Sequence, residues 1–390
     1  MFKKIYLILT GILITVVSYA QPGPVIIPQY VKLPVDSVQT KKLISSLNGF
    51  LQQSINPTKD NTFSLKDYLP ETAALVAEIR GMENAKNPDR KDFYKCYITN
   101  IMPLDSTTYI IQLAYMAVDG ATPITRISIK LLARRAGDGY LFYSPLKRNT
   151  LNWKSKQEGN FTFYYRTSLD TAKAANYAKK AQEFDAKLHA PVYGNQMYFC
   201  DDLQQSLEVL GIDYEADYNG LTGADFSAFG NNIELDVMGT GDGDTYAYDI
   251  HDLWHDRLHH TIPVTTINKP VDEACAYLYG GSWGISWNDI FKRFKAAMPA
   301  HTDWLAAFNE NKNFGENQRY HLYVAYVIDA LLAQKIEKEK GFAGVMALLS
   351  CGKKEDSNDN FFLALHKTIG INRANFNTEV EKLIEGEEVK

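Results

Sequence analysis

The stretch His251-Asp252-Leu253-Trp254-His255, followed by Glu273 in the run Val271-Asp272-Glu273-Ala274-Cys275, constrains this chain more than any other part of it. Histidines four residues apart on a helix lie on one face, so the imidazoles of His251 and His255 can reach the same metal ion. A carboxylate from a second helix completes a set of three ligands with one position open for water, as in catalytic zinc sites. The spacing therefore predicts a metal site at His251, His255 and Glu273, with Zn²⁺ as its cofactor.

The same stretch contains an overlapping second frame, His255-Asp256-Arg257-Leu258-His259. In that frame the ligands would lie one helical turn later. We favour the first frame because His259 stands near the expected end of the helix, before Pro263. An alternative without a metal also remains, in which His251 and His255 make ordinary hydrogen bonds on the helix.

The segments around the motif have the pattern of a strand followed by helices. Alternation predicts a strand over residues 232–237, and a helical period predicts a helix from residue 246 to about residue 259. A second helix carries Glu273 and ends at the pair Gly280-Gly281, since glycine commonly follows the last turn of a helix. Residues 320–340 are expected to form one long helix, and the chain beyond them is mostly helical.

The first part of the chain has a different pattern. A helical period predicts helices over residues 38–55 and 71–82. Runs of β-branched and aromatic residues follow, separated by Asp-Ser, Asp-Gly and Gly-Asp-Gly turn signals, which predicts an antiparallel meander. The runs are residues 94–101, 108–118, 125–134 and 140–143. Helices followed by a curved antiparallel sheet resemble the cone-shaped NTF2-like fold.

The motif residues resemble the gluzincin branch of zinc metallopeptidases, more closely the peptidase-MA-like group. That family carries His-Glu-x-x-His on one helix, an acidic ligand roughly 20 residues later and a helical C-terminal half. Here Glu273 follows His255 by 18 residues. The resemblance implies hydrolysis of peptide bonds in a peptide or protein substrate, with the strand at residues 232–237 as the edge strand that lines the substrate cleft.

The resemblance also implies a transition-state stabiliser on a later helix. Tyr320, His321 and Tyr323 stand at a suitable distance from Glu273 along the chain, so Tyr320 and Tyr323 are candidate catalytic residues. An aromatic packing face is the alternative for them, since the chain contains 24 tyrosines.

Asp252 stands where the family has the glutamate that acts as general base. Aspartate is one methylene shorter, which moves its carboxylate by about 1.5 Å. A general base must come within about 2.6–3.2 Å of the proton it takes, or act through one water. Two interpretations of Asp252 remain open: a substitute catalytic base, or a structural partner of a histidine. Asp249 and Asp256 are further candidates for that partner, because a zinc-bound histidine needs an acceptor for its other ring nitrogen.

The domain organisation that follows is α+β. Residues 22–150 are expected to form an N-terminal domain of helices and a curved antiparallel sheet. Residues 158–390 are expected to form a metallopeptidase-like domain with a mixed sheet and a mainly helical C-terminal half. The alternative function is a catalytically inactive peptidase-fold protein that acts as a binding or scaffold module in the cell envelope.

The N-terminus has the composition of a signal peptide over residues 1–20. Lys3 and Lys4 precede an apolar run over residues 5–17, and Ser18-Tyr19-Ala20 offers small residues for cleavage before Gln21. We expect export to the periplasm or the cell exterior, with no later membrane span, since no other segment approaches 18 consecutive apolar residues.

Charge and cysteine content limit the function classes further. The formal net charge of −5 argues against nucleic acid as a partner, because a protein surface that binds nucleic acid is basic. The four cysteines are too far apart for a metal knuckle, and either one or two disulfides or buried free thiols are compatible with an exported chain. They are Cys96, Cys200, Cys275 and Cys351. The oligomeric state does not follow from the sequence.

Overall fold

The structure is a computed structural model of the chain. The structure describes residues 24–34, 36–80, 82, 93–239, 246–299, 302–310, 312–315 and 320–387. The expected signal peptide, residues 1–20, lies outside these ranges. The described chain divides into two compact units: the residues up to Pro145 together with Gly211–Asp217, and Leu146–Leu210 together with the residues from Tyr218 onwards. The sequence predicted a first domain of residues 22–150, and it did not predict that residues 211–217 also belong to the first unit.

Strands and helices are numbered in chain order. The strands are β1 (Val25–Ile26), β2 (Lys95–Pro103), β3 (Thr108–Asp119), β4 (Thr122–Ala136), β5 (Gly139–Tyr143), β6 (Lys154–Glu158), β7 (Phe161–Tyr165), β8 (Gly194–Phe199), β9 (Ile212–Glu215), β10 (Asp225–Gly230) and β11 (Ile233–Met238). The helices are α1 (Ser37–Gln53), α2 (Leu69–Ile79), α3 (Leu146–Asn149), α4 (Thr171–Leu188), α5 (Leu203–Leu210), α6 (Ile250–His259), α7 (Lys269–Gly280), α8 (Trp287–Ala297), α9 (Trp304–Glu310), α10 (Val324–Lys340), α11 (Phe342–Leu349), α12 (Asp359–Ile369) and α13 (Phe376–Gly386). This mixture of helices and strands confirms the expected α+β class.

The first unit is an antiparallel meander covered by helices. Strands β2, β3, β4 and β5 pair in sequence order, β1 runs parallel to β2, and β9 pairs antiparallel with β4. Helix α1 buries Leu43, Leu47 and Phe50, and the Phe50 ring lies 5.1 Å from that of Phe142 on β5. The apolar side chains of α1 thus pack against the apolar face of the sheet and form one layer of the core.

The second unit contains a five-stranded sheet in the order β10-β11-β8-β7-β6. The three central strands are parallel to one another, and β10 and β6 are antiparallel at the two edges. The expectation that residues 232–237 form an edge strand was wrong, because β11 lies between β10 and β8. Strand β6 was not foreseen. Its sequence, Lys-Ser-Lys-Gln-Glu, has no apolar face because the strand lies at an exposed edge, where charged side chains are common.

The helices of the second unit surround α10, most of whose residues are buried. The prediction of a helix over residues 320–340 was wrong at its start, since α10 begins at Val324 and Tyr323 forms an antiparallel bridge with Asn313. The backbone N–H of Val324 donates to the carbonyl of Lys312 (2.9 Å), and that of Phe314 donates to Leu322 (2.8 Å). Within the ranges described above, no helix combines the length and the apolar character needed to cross a bilayer.

Of the two alternatives for the cysteines, disulfides or free thiols, the structure has free thiols. All four are free thiols, and Cys96, Cys200 and Cys275 are buried. Buried cysteine packs as a small apolar residue.

Glu215 on β9 is an ionisable group inside the first unit. It is only 5% exposed, and among the described residues its Oε2 atom has no hydrogen-bond partner. Burial raises the pKa of Glu215 well above its usual range, the negative charge of Glu78 raises it further, and Arg126 offsets part of the change. A carboxyl group with a raised pKa in the folded state stabilises that state below its unfolded pKa, and this stabilisation is lost as the pH rises through the folded pKa.

We therefore expect Glu215→Gln to flatten the pH dependence of the first unit's stability. In the wild type, protection of the β4 and β9 amides against hydrogen exchange should fall between about pH 5 and pH 9, after correction for intrinsic exchange rates. In the variant it should change less. The same slope in both proteins would show that Glu215 is not the titrating group.

Candidate metal centre

Helix α6 begins at a side-chain cap. The carboxylate of Asp249 accepts a hydrogen bond from the backbone N–H of His251 (2.8 Å), which satisfies one of the free donors of the first turn. The helix expected from residue 246 is in fact a 3-10 turn, Tyr246–Tyr248, followed by α6. His251 is therefore in the first turn of α6, where the cap holds its backbone.

The two motif histidines share a face of α6. Leu253, Trp254 and Leu258 are buried in the core, and the Trp254 ring packs 5.4 Å from Phe184 on α4. His251 and His255 lie together on the face next to α7, as their spacing predicts. The core contacts of α6 thus fix the direction in which the imidazoles point.

Three ligand atoms from α6 and α7 converge. The Nε2 atoms of His251 and His255 are 3.2 Å apart, and they lie 3.4 and 3.8 Å from the two carboxylate oxygens of Glu273. Bonds of about 2.0–2.1 Å in a tetrahedral site place two ligand atoms roughly 3.3 Å apart. The three side chains are therefore spaced as ligands of one metal ion, and they form a group that could hold one.

Both imidazoles are oriented through their other nitrogen. His251 Nδ1 donates to the carbonyl of Gly281 (2.8 Å), and His255 Nδ1 donates to the carboxylate of Asp272 (2.7 Å). With the proton on Nδ1, the lone pair of each Nε2 points toward the shared centre, as metal-binding histidines require. The expected partners Asp249, Asp252 and Asp256 do not fill these positions, because residues at the end and the first turn of α7 do.

The pair Gly280-Gly281 allows this approach of α6 and α7. A Cβ atom on Gly280 would lie 2.8 Å from the backbone nitrogen of His251. Gly281 has a φ of 80°, and a Cβ atom there would collide with the carbonyl of Ile285. Glycine at both positions therefore lets the end of α7 lie against the first turn of α6.

The carboxylates next to the centre are ionised. Burial acts to raise the pKa of Glu273, but its close contacts with His251 and Lys269 and the positive charge of Lys269 lower it to about 2. The pKa of the fully buried Asp272 is also lowered, because the hydrogen bond from His255 and the nearby His259 and Lys269 side chains outweigh the effect of burial. Lys269 Nζ lies 2.8 Å from Glu273 Oε1, so the ammonium group shares this carboxylate with any bound cation.

A second group of potential ligands consists of His255, His259 and Asp272. It corresponds to the overlapping frame one turn later. His255 Nδ1 and Asp272 Oδ1 are 2.7 Å apart, which is a hydrogen-bond distance. Two ligands of one zinc ion would be roughly 3.3 Å apart, so the first group has the better spacing.

A cavity of about 290 Å³ lies beside the first group. Its walls include two of the three potential ligands, His251 and Glu273, and a set of acidic and aromatic side chains. These further residues are Asp249, Asp252, Tyr277, Ser282, Trp283, His321, Tyr323 and Tyr326. The cavity therefore provides a volume in which a substrate could meet a bound metal.

The candidate catalytic residues differ in position. Asp252 is exposed and lines the cavity next to His251. Tyr323 also lines the cavity, whereas Tyr320 is not among its described lining residues and packs 5.7 Å from the guanidinium of Arg293. The two tyrosines separate because both precede α10, which begins at Val324, so they do not lie on one face of a helix.

Tyr277 on α7 holds the segment that precedes α10 against the site. Its hydroxyl donates to the carbonyl of His321 (2.9 Å). Trp283 and Tyr326, which also line the cavity, were not predicted from the sequence. The only feature of the sequence that could have pointed to Trp283 as a lining residue was its position in a turn, directly after Gly281 and Ser282.

Comparison of the chain with protein-family models, curated proteins and solved structures gave no significant match.

Replacement of single histidines should show which of the two groups of potential ligands binds the metal. We expect His251→Ala to abolish stoichiometric metal binding, because it removes one of three ligands, while His259→Ala leaves binding intact. Elemental analysis and isothermal titration with Zn²⁺ would measure this. The reverse pattern would assign the metal to the second frame.

Asp272→Asn should weaken metal binding without removing a ligand. Loss of an acceptor carboxylate behind a metal-binding histidine typically lowers metal affinity about 10–100-fold. Competition with a chelator of known affinity would measure the change. The matched control is His260→Asn, since His260 bonds to Glu234 away from the centre (2.8 Å). Unchanged affinity in Asp272→Asn would contradict the role of this hydrogen bond.

Proposed function

We propose that the protein is a zinc-dependent metallopeptidase of the gluzincin type, which hydrolyses peptide bonds in a peptide or protein substrate. The observation that carries the proposal is the convergence of two Nε2 atoms and one carboxylate, with both Nδ1 atoms engaged elsewhere, at the wall of a cavity. Histidine nitrogens with one carboxylate are a donor set that suits zinc and leaves a coordination position open.

His251, His255 and Glu273 would hold the ion. Zn²⁺ in such a site supplies Lewis-acid chemistry, since it polarises a carbonyl group and makes water a stronger nucleophile at neutral pH. Asp252 would accept the proton of the attacking water and transfer it to the leaving amine. Because Gly281 and Asp272 already engage the two histidines, the role of histidine partner is filled, which favours Asp252 as a base.

Tyr323 would act on the oxygen of the scissile carbonyl. Its side chain lines the cavity, and a tyrosine hydroxyl can donate a hydrogen bond. A donor aimed at the oxygen that becomes negative stabilises the transition state more than the substrate. His321, in the same wall, is an alternative donor.

The alternative is a catalytically inactive peptidase-fold protein that serves as a binding or scaffold module in the cell envelope. The shorter side chain of Asp252 favours it, since misplacement of a catalytic group by about 1 Å can cost on the order of a hundredfold in rate. In both cases the N-terminal signal sequence supports export to the periplasm or the cell exterior.

Hydrolysis of an unfolded protein by the zinc-loaded chain tests the proposal. We expect Asp252→Asn to retain zinc but to lower kcat by on the order of 10²-fold or more, because the amide cannot accept the proton. Product peptides would be quantified by mass spectrometry after zinc content is matched.

Asp256→Asn is the control, since it removes a neighbouring carboxylate of α6 that does not line the described cavity. Full activity in Asp252→Asn would reject Asp252 as the base. Stoichiometric zinc without turnover in the wild type would reject the peptidase and leave the binding module.

A further inference from the structure

Trp283 stands in a tight turn just after α7. The backbone N–H of Ser282 donates to the carbonyl of Ile285 (3.0 Å), and Ile285 returns a bond to Ser282 (2.9 Å). The two central residues, Trp283 and Gly284, have φ values of 55° and 71°. Two adjacent residues with positive φ between paired ends form a type I′ hairpin turn.

Tryptophan is a poor residue for this turn. Asparagine, aspartate or glycine is strongly preferred at the first central position, because a bulky side chain with positive φ is sterically disfavoured. The Trp283 side chain is also 41% exposed, so it contributes little to the core. Neither the turn nor the packing therefore accounts for tryptophan at this position.

The position of Trp283 suggests another reason. It lines the cavity that His251 and Glu273 also line. Its ring lies 6.1 Å from that of His321, which in turn stacks 6.3 Å from Tyr323. The three rings make an aromatic wall beside the candidate metal centre.

The same short hairpin connects this wall to the centre. Gly281, two residues before Trp283, supplies the carbonyl that orients His251. A ring carried by this turn is therefore held at a fixed position relative to the metal ligands. Residues held in sparsely populated backbone conformations cluster at active sites and ligand-binding sites.

We propose that Trp283 determines substrate specificity by holding an apolar or aromatic side chain of the peptide next to the scissile bond. This inference rests on the proposed peptidase function. An aromatic ring offers a large, rigid apolar surface at low entropic cost, and it contributes most when its partner is also apolar. The aromatic wall would thus favour peptides that carry an apolar or aromatic side chain next to the scissile bond.

The test is the cleavage-site profile of the zinc-loaded full-length chain on an unfolded protein, measured by mass spectrometry. Wild-type cuts should be enriched beside Phe, Tyr, Trp and Leu. Trp283→Asn should lower the relative rate at those sites by about tenfold and leave other sites nearly unchanged, while Trp283→Phe retains most of the preference. Leu363→Asn, which removes a more exposed apolar side chain outside the cavity, is the control.

Folding does not obscure this test, because asparagine followed by glycine is a preferred type I′ sequence. Trp283→Asn should therefore melt at or above the wild-type temperature. An equal loss at all cleavage sites, or an unchanged profile, would overturn the proposed role of Trp283 and leave the peptidase function intact.

Absence of hydrolysis by the zinc-loaded wild type would instead reject the peptidase function. The wall would then be judged by the Kd of fluorescent peptides that differ only in Phe or Ser at one position. About tenfold weaker binding of the Phe peptide to Trp283→Asn would support the wall as a binding surface. Equal Kd values for wild type and variant would overturn it.

Discussion

The candidate centre depends on the hydrogen bonds from His251 Nδ1 to the Gly281 carbonyl and from His255 Nδ1 to the Asp272 carboxylate. A neutral imidazole carries one proton, so a strong acceptor at Nδ1 determines that Nε2 is the basic nitrogen. The two acceptors come from the two ends of α7, while the histidines sit one turn apart on α6. Any displacement of α7 along its axis would thus misdirect both rings together.

This dependence explains the composition of α7. Asp272 faces His255 and is fully buried, whereas its neighbour Glu273 reaches the shared centre. Adjacent residues on a helix differ by about 100° in direction, so consecutive carboxylates can serve an orienting and a ligating role. At the other end, Gly280 and Gly281 bring the backbone carbonyl within reach of His251. The small size of these residues is thus as important to the site as the charged groups.

The pairing of His251 with His255 could be predicted from the sequence because it follows from helical spacing, whereas Glu273, on a second helix, was expected from its separation of 18 residues from His255. His251 and His255 share a face in any α-helix, but their acceptors, Asp272 and Gly281, depend on how α6 and α7 pack. Tyr320 was expected beside Tyr323 on one helix, but residues 322–324 pair with residues 312–314, and the helix begins only at Val324. Strand β6 was missed for a related reason, since an edge strand with two exposed faces has no apolar pattern.

Because of strand β9, the first unit is built from two separate stretches of the chain. The residues of β9 belong to the first unit, although the chain has by then passed through β6, β7, α4, β8 and α5 of the second. During synthesis, therefore, the meander cannot acquire its last strand until more than half of the polypeptide has emerged. No single cut divides the chain into two autonomous halves, and a fragment that stops after β5 would leave the N-terminal half of β4 without its neighbour on that side.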